Sequence, residues 1–210
     1  MSVRFANDPQ ASLGVLILSG GRSRRMGEDK ARLPFRGMTM LEFLIRRFQP
    51  LTSSLVVVGP CAAEWQSQFP SVSFLQDEHP DRGPLEGMRV GFRFLQPRCQ
   101  LVWVQPCDSP LVSLPLVQAM VDWAGDDEAV VASWDQRIWS LPALYRPGSA
   151  HERIEQLLQE GEGAVQQLAQ RLKTKWVDET SVRSIDPQLI SFFNVNTPED
   201  YRRLLESPAG

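Results

Sequence analysis

Residues 13–30 constrain the chain most: an apolar run, Leu13 to Leu18, ends in Gly20-Gly21, and arginines, a third glycine and Lys30 follow at once. A short continuous run of Leu, Val and Ile closed by Gly reads as a buried strand. Gly20 and Gly21 let the backbone approach a ligand and take positive φ, while Arg22, Arg24, Arg25 and Lys30 supply positive charge. The working expectation is a loop that holds nucleotide phosphates; a surface loop of solvated arginines is the bland alternative. Spacing excludes two familiar phosphate loops. A dinucleotide loop needs GxGxxG, and here Gly-Gly runs into bulky arginines. A P-loop needs a hydroxyl after its lysine, and Ala31 follows Lys30.

The wider composition narrows the partners. Net charge is −3, so the arginines are a local concentration on a mildly acidic background, which favours a small anionic ligand and no nucleic acid. Hydrophobic content of 42% and charged content of 22% suit a soluble globular protein with a substantial core. Cys61, Cys99 and Cys107 form no CxxC pair, which fits reduced thiols in the cytoplasm. With only His79 and His151 present, a histidine-based metal cluster is not expected; oxygen ligands and magnesium are. The longest apolar run falls far short of a membrane span and lacks the flanks of a signal peptide, so no membrane role is expected.

Residues 1–12 read as a loose tail and 13–206 as one domain. After the charged loop, Thr39 caps a helix through Phe48. Strands follow at 55–58 and 72–75, with a short helix at 62–68 between them. A polar turn-rich loop leads to a helix from Leu85 through Phe94. A strand at 101–104 ends in Pro106-Cys107-Asp108-Ser109-Pro110, and Pro115 starts a helix to Trp123. Residues 128–133 and 138–145 read as two strands turning at Asp135-Gln136, the one antiparallel pairing expected. A capping-box spacing at Ser149–Glu152 marks the next helix, and a further one follows Gly161-Glu162-Gly163. Short strands at 175–177 and 190–193 precede a last helix beginning at Thr197-Pro198. Strands alternating with helices predict an α/β domain with a mostly parallel sheet. Ligands in such sheets sit beyond the carboxyl ends of the strands. The loops there carry Gly20-Gly21 with the arginines, Asp77, Asp108, and Asn194 with Asn196.

Taken singly, each of these has an ordinary reading. Asp108 is either a turn aspartate bonding its own backbone or a carboxylate placed to hold a hard cation against phosphates. Gly83-Pro84-Leu85-Glu86-Gly87 is a turn entering a helix, or an anion site at that helix start. Asn196 bonds the turn or turns its carbonyl to a metal.

Together they become specific. Leu18-Ser19-Gly20-Gly21-x-Ser23-x-Arg25-Met26-Gly27-x-Asp29-Lys30, Gly83-Pro84-Leu85-x-Gly87, Cys107-Asp108-Ser109-Pro110 and Asn194-Val195-Asn196-Thr197-Pro198 resemble, in order and across residues 18–198, the molybdenum cofactor guanylyltransferase family. Sugar nucleotidyltransferases and molybdopterin cytidylyltransferases share the outline of the first motif, the latter usually with Ala-Gly in place of Gly20-Gly21. The resemblance implies a Rossmann-like three-layer αβα nucleotidyltransferase domain. Its implied reaction joins GMP from GTP to the terminal phosphate of the molybdenum–molybdopterin cofactor, with magnesium as metal cofactor and pyrophosphate released. By the same resemblance Leu18, Ser19, Gly20 and Gly21 pack around the nucleotide, Arg25 and Lys30 meet the triphosphate, Asp77 binds nucleotide, and Asp108 holds magnesium. Gly87, Asn194 and Asn196 match positions tied to the active site. Implied partners are GTP and molybdopterin cofactor, with molybdoenzymes or other cofactor-assembly proteins beyond them. The family's frequent asparagine near Gly59-Pro60 and its His-Pro before Ala143-Leu144-Tyr145 are missing here. Open alternatives are transfer of a cytidylyl group, a sugar-phosphate acceptor, or a nucleotide-binding module that delivers cofactor without catalysis. Arg82, Arg137 and Arg146 are candidates for the pterin's anionic groups, or solvated surface arginines.

Overall fold

The computed structural model describes residues 12–19, 30–59, 63–79 and 82–207. Its strands are β1 (Leu13–Leu18), β2 (Pro34–Phe35), β3 (Met38–Thr39), β4 (Ser54–Val58), β5 (Ser73–Leu75), β6 (Leu101–Pro106), β7 (Ala129–Trp134), β8 (Arg137–Tyr145) and β9 (Thr174–Val177). The helices are α1 (Met40–Phe48), α2 (Ala63–Gln68), α3 (Pro84–Leu95), α4 (Leu114–Trp123), α5 (Pro147–Gln159), α6 (Val165–Arg171), α7 (Glu179–Arg183) and α8 (Pro198–Leu205).

Seven strands form one sheet in the order β5-β4-β1-β6-β8-β7-β9, and only β8 runs against its neighbours. The chain moves outward from β1 through β4 to β5, then crosses back to place β6 on the other side of β1. That reversal opens a crevice at the carboxyl ends of β1 and β6, where ligands bind in sheets of this kind.

Burial on both faces explains the apolar runs. Val15 and Ile17 of β1 point into a layer with Leu41, Leu44, Ile45 and Phe48 of α1 and Leu116, Val117 and Met120 of α4. Leu16 and Leu18 point the other way, toward Leu85, Met88 and Phe92 of α3 and Ile154 and Leu157 of α5. Each such side chain contributes roughly 1.5–3 kcal/mol when fully buried. The result is a three-layer αβα arrangement. At Gly91 of α3 an added Cβ would lie 2.5 Å from both Leu16 methyls, and Leu16 is itself enclosed, so helix and strand meet at a distance only glycine allows. Gly91→Ala is therefore expected to lower stability by about 1–3 kcal/mol, read as a lower urea midpoint.

Local signals largely decide the helix ends. Thr39 and Glu42 form the capping box of α1. Asp135 and Gln136 take φ of 50° and 60° in the tight turn joining β7 to β8, as expected of a two-residue hairpin. Two expectations are corrected, and a third feature was not foreseen. First, α5 begins at Pro147 with Arg146 in the cap position, and Ser149 lies inside its first turn; proline's fixed φ at the first helical position sets the start. Second, residues 190–193 are no strand: Ile190–Phe192 is a 3-10 turn. There the Asp186 carboxylate accepts the N–H groups of Ile190 (3.1 Å) and Ser191 (3.0 Å) and curls the chain. The apolar residues of that stretch face two different clusters, Phe192 toward the α1/α4 layer and Ile190 and Phe193 toward a smaller one. Third, an unexpected β2–β3 hairpin turns at Arg36 (φ 51°) and Gly37 (φ 79°) and joins Leu33, Phe35, Met40, Leu111, Val195 and Leu204 in that smaller cluster.

Candidate active site

Backbone bonds stitch the strand ends together before any side chain is considered. Ser19 N–H donates to Val58 O (2.8 Å) and Cys107 N–H to Leu18 O (2.9 Å), so the exits of β4, β1 and β6 are level. One residue on, Asp108 accepts the Val195 N–H at its carbonyl (2.8 Å). The buried Ser109 hydroxyl donates to Asn194 Oδ1. Asn196 is fixed from its other side, because the Asp200 carboxylate that caps α8 accepts the N–H groups of Asn196 and Thr197.

Lys30 closes the constellation. Its ammonium donates to Asp108 Oδ2 at 3.3 Å and to Asn196 Oδ1 at 3.0 Å. Three stretches distant in sequence thus meet in the crevice between β1 and β6. The pair is partly accessible, with 19% and 28% of the two side chains exposed, so a ligand can reach it.

A second group lies at the β4–β5 side. Gly87, buried in the first turn of α3, faces Leu18, Val58 and Asp77: an added Cβ would stand 3.1 Å from Leu18 Cδ2 and 3.3 Å from Asp77 Oδ1. Among the described residues Asp77 Oδ1 and Ser19 Oγ are buried with no hydrogen-bond partner. Burial, with the Glu86 charge as a smaller cause, raises the Asp77 carboxyl above its ordinary value. Gly20, Gly21 and Arg25 lie outside the described residues, as does Asp29.

Behind Asp77 stands a group of charges that sequence reasoning did not single out. Glu86 is almost wholly enclosed, and both its oxygens accept from Arg89, at 2.9 and 2.7 Å. Arg89 also donates to Glu78 and to Glu155 of α5, and Arg93 donates to Glu78. His79 Nδ1 lies 3.2 Å from Glu86 Oε1. Arg93, and after it Arg89, hold Glu78 down to about 2, and Arg89 lowers Glu86. Ligand atoms of Glu78, His79 and Glu86 fall within 4.8 Å of one another, but the guanidinium already occupies both oxygens of Glu86. These residues form an ion-pair clamp. The readable signal was the Glu86–Arg89 spacing at the start of an apolar helix.

Of the arginines considered for an acceptor, Arg146 donates to the carbonyls of Asp127 (2.9 Å) and Gly125 beyond α4 and is taken up by that job. Arg137 stacks over Trp139, 3.6 Å from the ring centre. Among the described residues no helix is long and apolar enough to cross a membrane.

The α/β fold is that of a nucleotidyltransferase, and comparison with known proteins shows the class. Residues 15–175 match the MobA-like NTP transferase domain. The molybdenum cofactor guanylyltransferase of Ectopseudomonas mendocina is 32% identical, over 95% of this chain and 93% of its own length. A probable molybdenum cofactor guanylyltransferase of Methanosarcina mazei is 29% identical, over 91% and 89%. The crystal structure of molybdopterin-guanine dinucleotide biosynthesis protein A from Archaeoglobus fulgidus superposes with a TM-score of 0.75 at 27% identity, covering 92% of this chain and 97% of that one. The chain belongs to the MobA-like NTP transferase family, among the molybdenum cofactor guanylyltransferases.

Proposed function

We propose that this enzyme transfers GMP from GTP to the terminal phosphate of the molybdenum–molybdopterin cofactor. The observation that carries the reading is the convergence of Lys30, Asp108 and Asn196 at the carboxyl ends of β1 and β6. An acceptor phosphate oxygen attacks the α-phosphorus; that P–O bond forms as the bond to the β-phosphate oxygen breaks, and pyrophosphate leaves. Two anions must meet, so charge neutralisation and alignment dominate the barrier. The attacking phosphate is already ionised near neutral pH, and no general base is required of the chain. Lys30 offsets charge on the leaving pyrophosphate, with Arg25 assigned beside it from the sequence motif. Leu18, Ser19 and Gly87 shape the nucleotide cradle with Gly20 and Gly21, and the unpartnered Asp77 Oδ1 is an acceptor for an N–H or O–H of the nucleotide.

The donor set fits a magnesium ion: the Asp108 carboxylate and the Asn196 amide oxygen, which share the Lys30 ammonium, are both oxygen donors. Bound at Asp108, magnesium would neutralise phosphate oxygens and polarise the α-phosphorus. This reading places the enzyme in the cytoplasm, upstream of the molybdoenzymes that use the dinucleotide.

The test is incubation with molybdopterin cofactor, magnesium and GTP, CTP or ATP in turn, followed by mass detection of the product. A GMP adduct with GTP alone is expected. A CMP adduct would make the enzyme a cytidylyltransferase, and GTP binding without pyrophosphate release would make it a delivery module.

A further inference from the structure

Strand β6 is apolar from Leu101 to Val104, then carries an amide, Gln105, with no exposed surface. A side-chain amide enclosed this way is unfavourable unless both its ends are bonded. Here they are. The oxygen accepts from the indole N–H of Trp103 at 2.8 Å, and the NH2 group donates to the carbonyl of Ser109 at 2.6 Å, with the Pro106 carbonyl at 3.4 Å. The indole can only donate, so it dictates which end of the amide faces it. The NH2 end is left pointing at the turn. Trp103 is itself fully enclosed in the layer beneath α1 and α4, so the orientation is anchored in the core.

That turn is the one that presents Asp108. Ser109 N–H closes it onto Pro106 O (3.2 Å), the Ser109 hydroxyl reaches Asn194, and the Asp108 carbonyl takes the Val195 N–H. A continuous run of hydrogen bonds therefore leads from a core indole, through Gln105 and Ser109, to the asparagine loop that faces Lys30. The Asp108 carboxylate hangs between two of its fixed points.

We propose that Gln105 is a positioning residue for divalent-ion binding: its amide sets the placement of the Asp108 turn against Asn194 and Asn196. The proposal rests on the reading of Asp108 as the cation ligand. Gln105 touches neither substrate nor cation and acts through the turn carbonyls, Ser109 at 2.6 Å and Pro106 at 3.4 Å.

The probe is Mn2+, titrated into the protein with a GTP analogue bearing a methylene between the α- and β-phosphorus, and followed by the EPR signal of the free ion. A sample of the analogue without protein supplies the baseline. Gln105→Met keeps the volume and removes all three hydrogen bonds of the amide; Trp103→Phe keeps Gln105 and removes the N–H that orients it together with part of the ring volume. Gln105→Met is expected to weaken Mn2+ about tenfold, a usual size for groups that orient a ligand. Trp103→Phe should act in the same direction and less. Affinity for the analogue without divalent ion should be unchanged in both, a result that general loosening of the core would not give. Parent-like Mn2+ affinity in both variants, with Asp108→Asn unable to bind the ion, overturns the positioning role and leaves Asp108 in place. Parent-like binding by Asp108→Asn overturns the reading of Asp108 itself. An equal loss of metal-free analogue affinity in Gln105→Met makes the amide a general core element and also overturns the proposal. If circular dichroism finds Gln105→Met unfolded, Trp103→Phe decides alone, and parent-like Mn2+ affinity there is the overturning result.

Discussion

Asp108→Ala is expected to lower turnover about 10³-fold or more while leaving the fold in place. The carboxylate is partly exposed, and the turn beneath it is held by backbone and by Gln105, none of which the substitution removes. A melting temperature near the parent's should therefore accompany the lost rate. Asp108→Glu is expected to keep a trace, because the carboxylate survives but sits one methylene too far out. The measurement is magnesium-dependent pyrophosphate release with GTP and acceptor. A near-normal rate in Asp108→Ala would remove the residue from the metal role.

Lys30→Ala should cost about 10²–10³-fold in kcat/KM for GTP. On the proposed reading its ammonium offsets charge on the leaving pyrophosphate, and no neighbouring described side chain replaces it at Asp108 and Asn196. Stability should move little: the Lys30–Asp108 contact is long at 3.3 Å and partly accessible to solvent, so its loss costs about 1 kcal/mol. That contrast separates the two roles. A lysine that served only to tether the crevice would lower the melting temperature and spare the rate, and an unchanged kcat/KM would sink the assignment.

Much of the fold was readable because its signals are local. A run such as Leu13–Leu18, buried on both faces, has no polar residue to blur it, and the Thr39–Glu42 box marks a helix start in four residues. The failures share a cause. At 190–193 the apolar spacing was real, but the residues face two clusters, and Asp186, four positions away, dictates the backbone. The β2–β3 hairpin is too short for an alternating pattern, and its stability comes from Leu111, Val195 and Leu204, far off in sequence. The site was legible as a set of loops at one sheet edge, since topology alone brings them there. The meeting of Lys30 with both Asp108 and Asn196 was not, because it depends on where side chains end. Gln105 falls just beyond the strand read at 101–104 and drew no role from the sequence, although a lone amide closing an apolar run is a signal that sequence reasoning can use.

The Arg89 clamp has a consequence for behaviour in acid. Its carboxylates Glu78 and Glu86 titrate below the ordinary 4.5, so their contribution is complete above that value and fades only as pH falls through the lowered ones, about 2 for Glu78. Ordinary carboxylates will already have gained protons in that window. The clamp ties α3 to α5 and to the chain carrying Asp77. As the medium turns sour, the contacts from Arg89 to Glu78 and Glu86, beside Asp77 and Gly87, should persist to lower pH than carboxylates of ordinary value would allow.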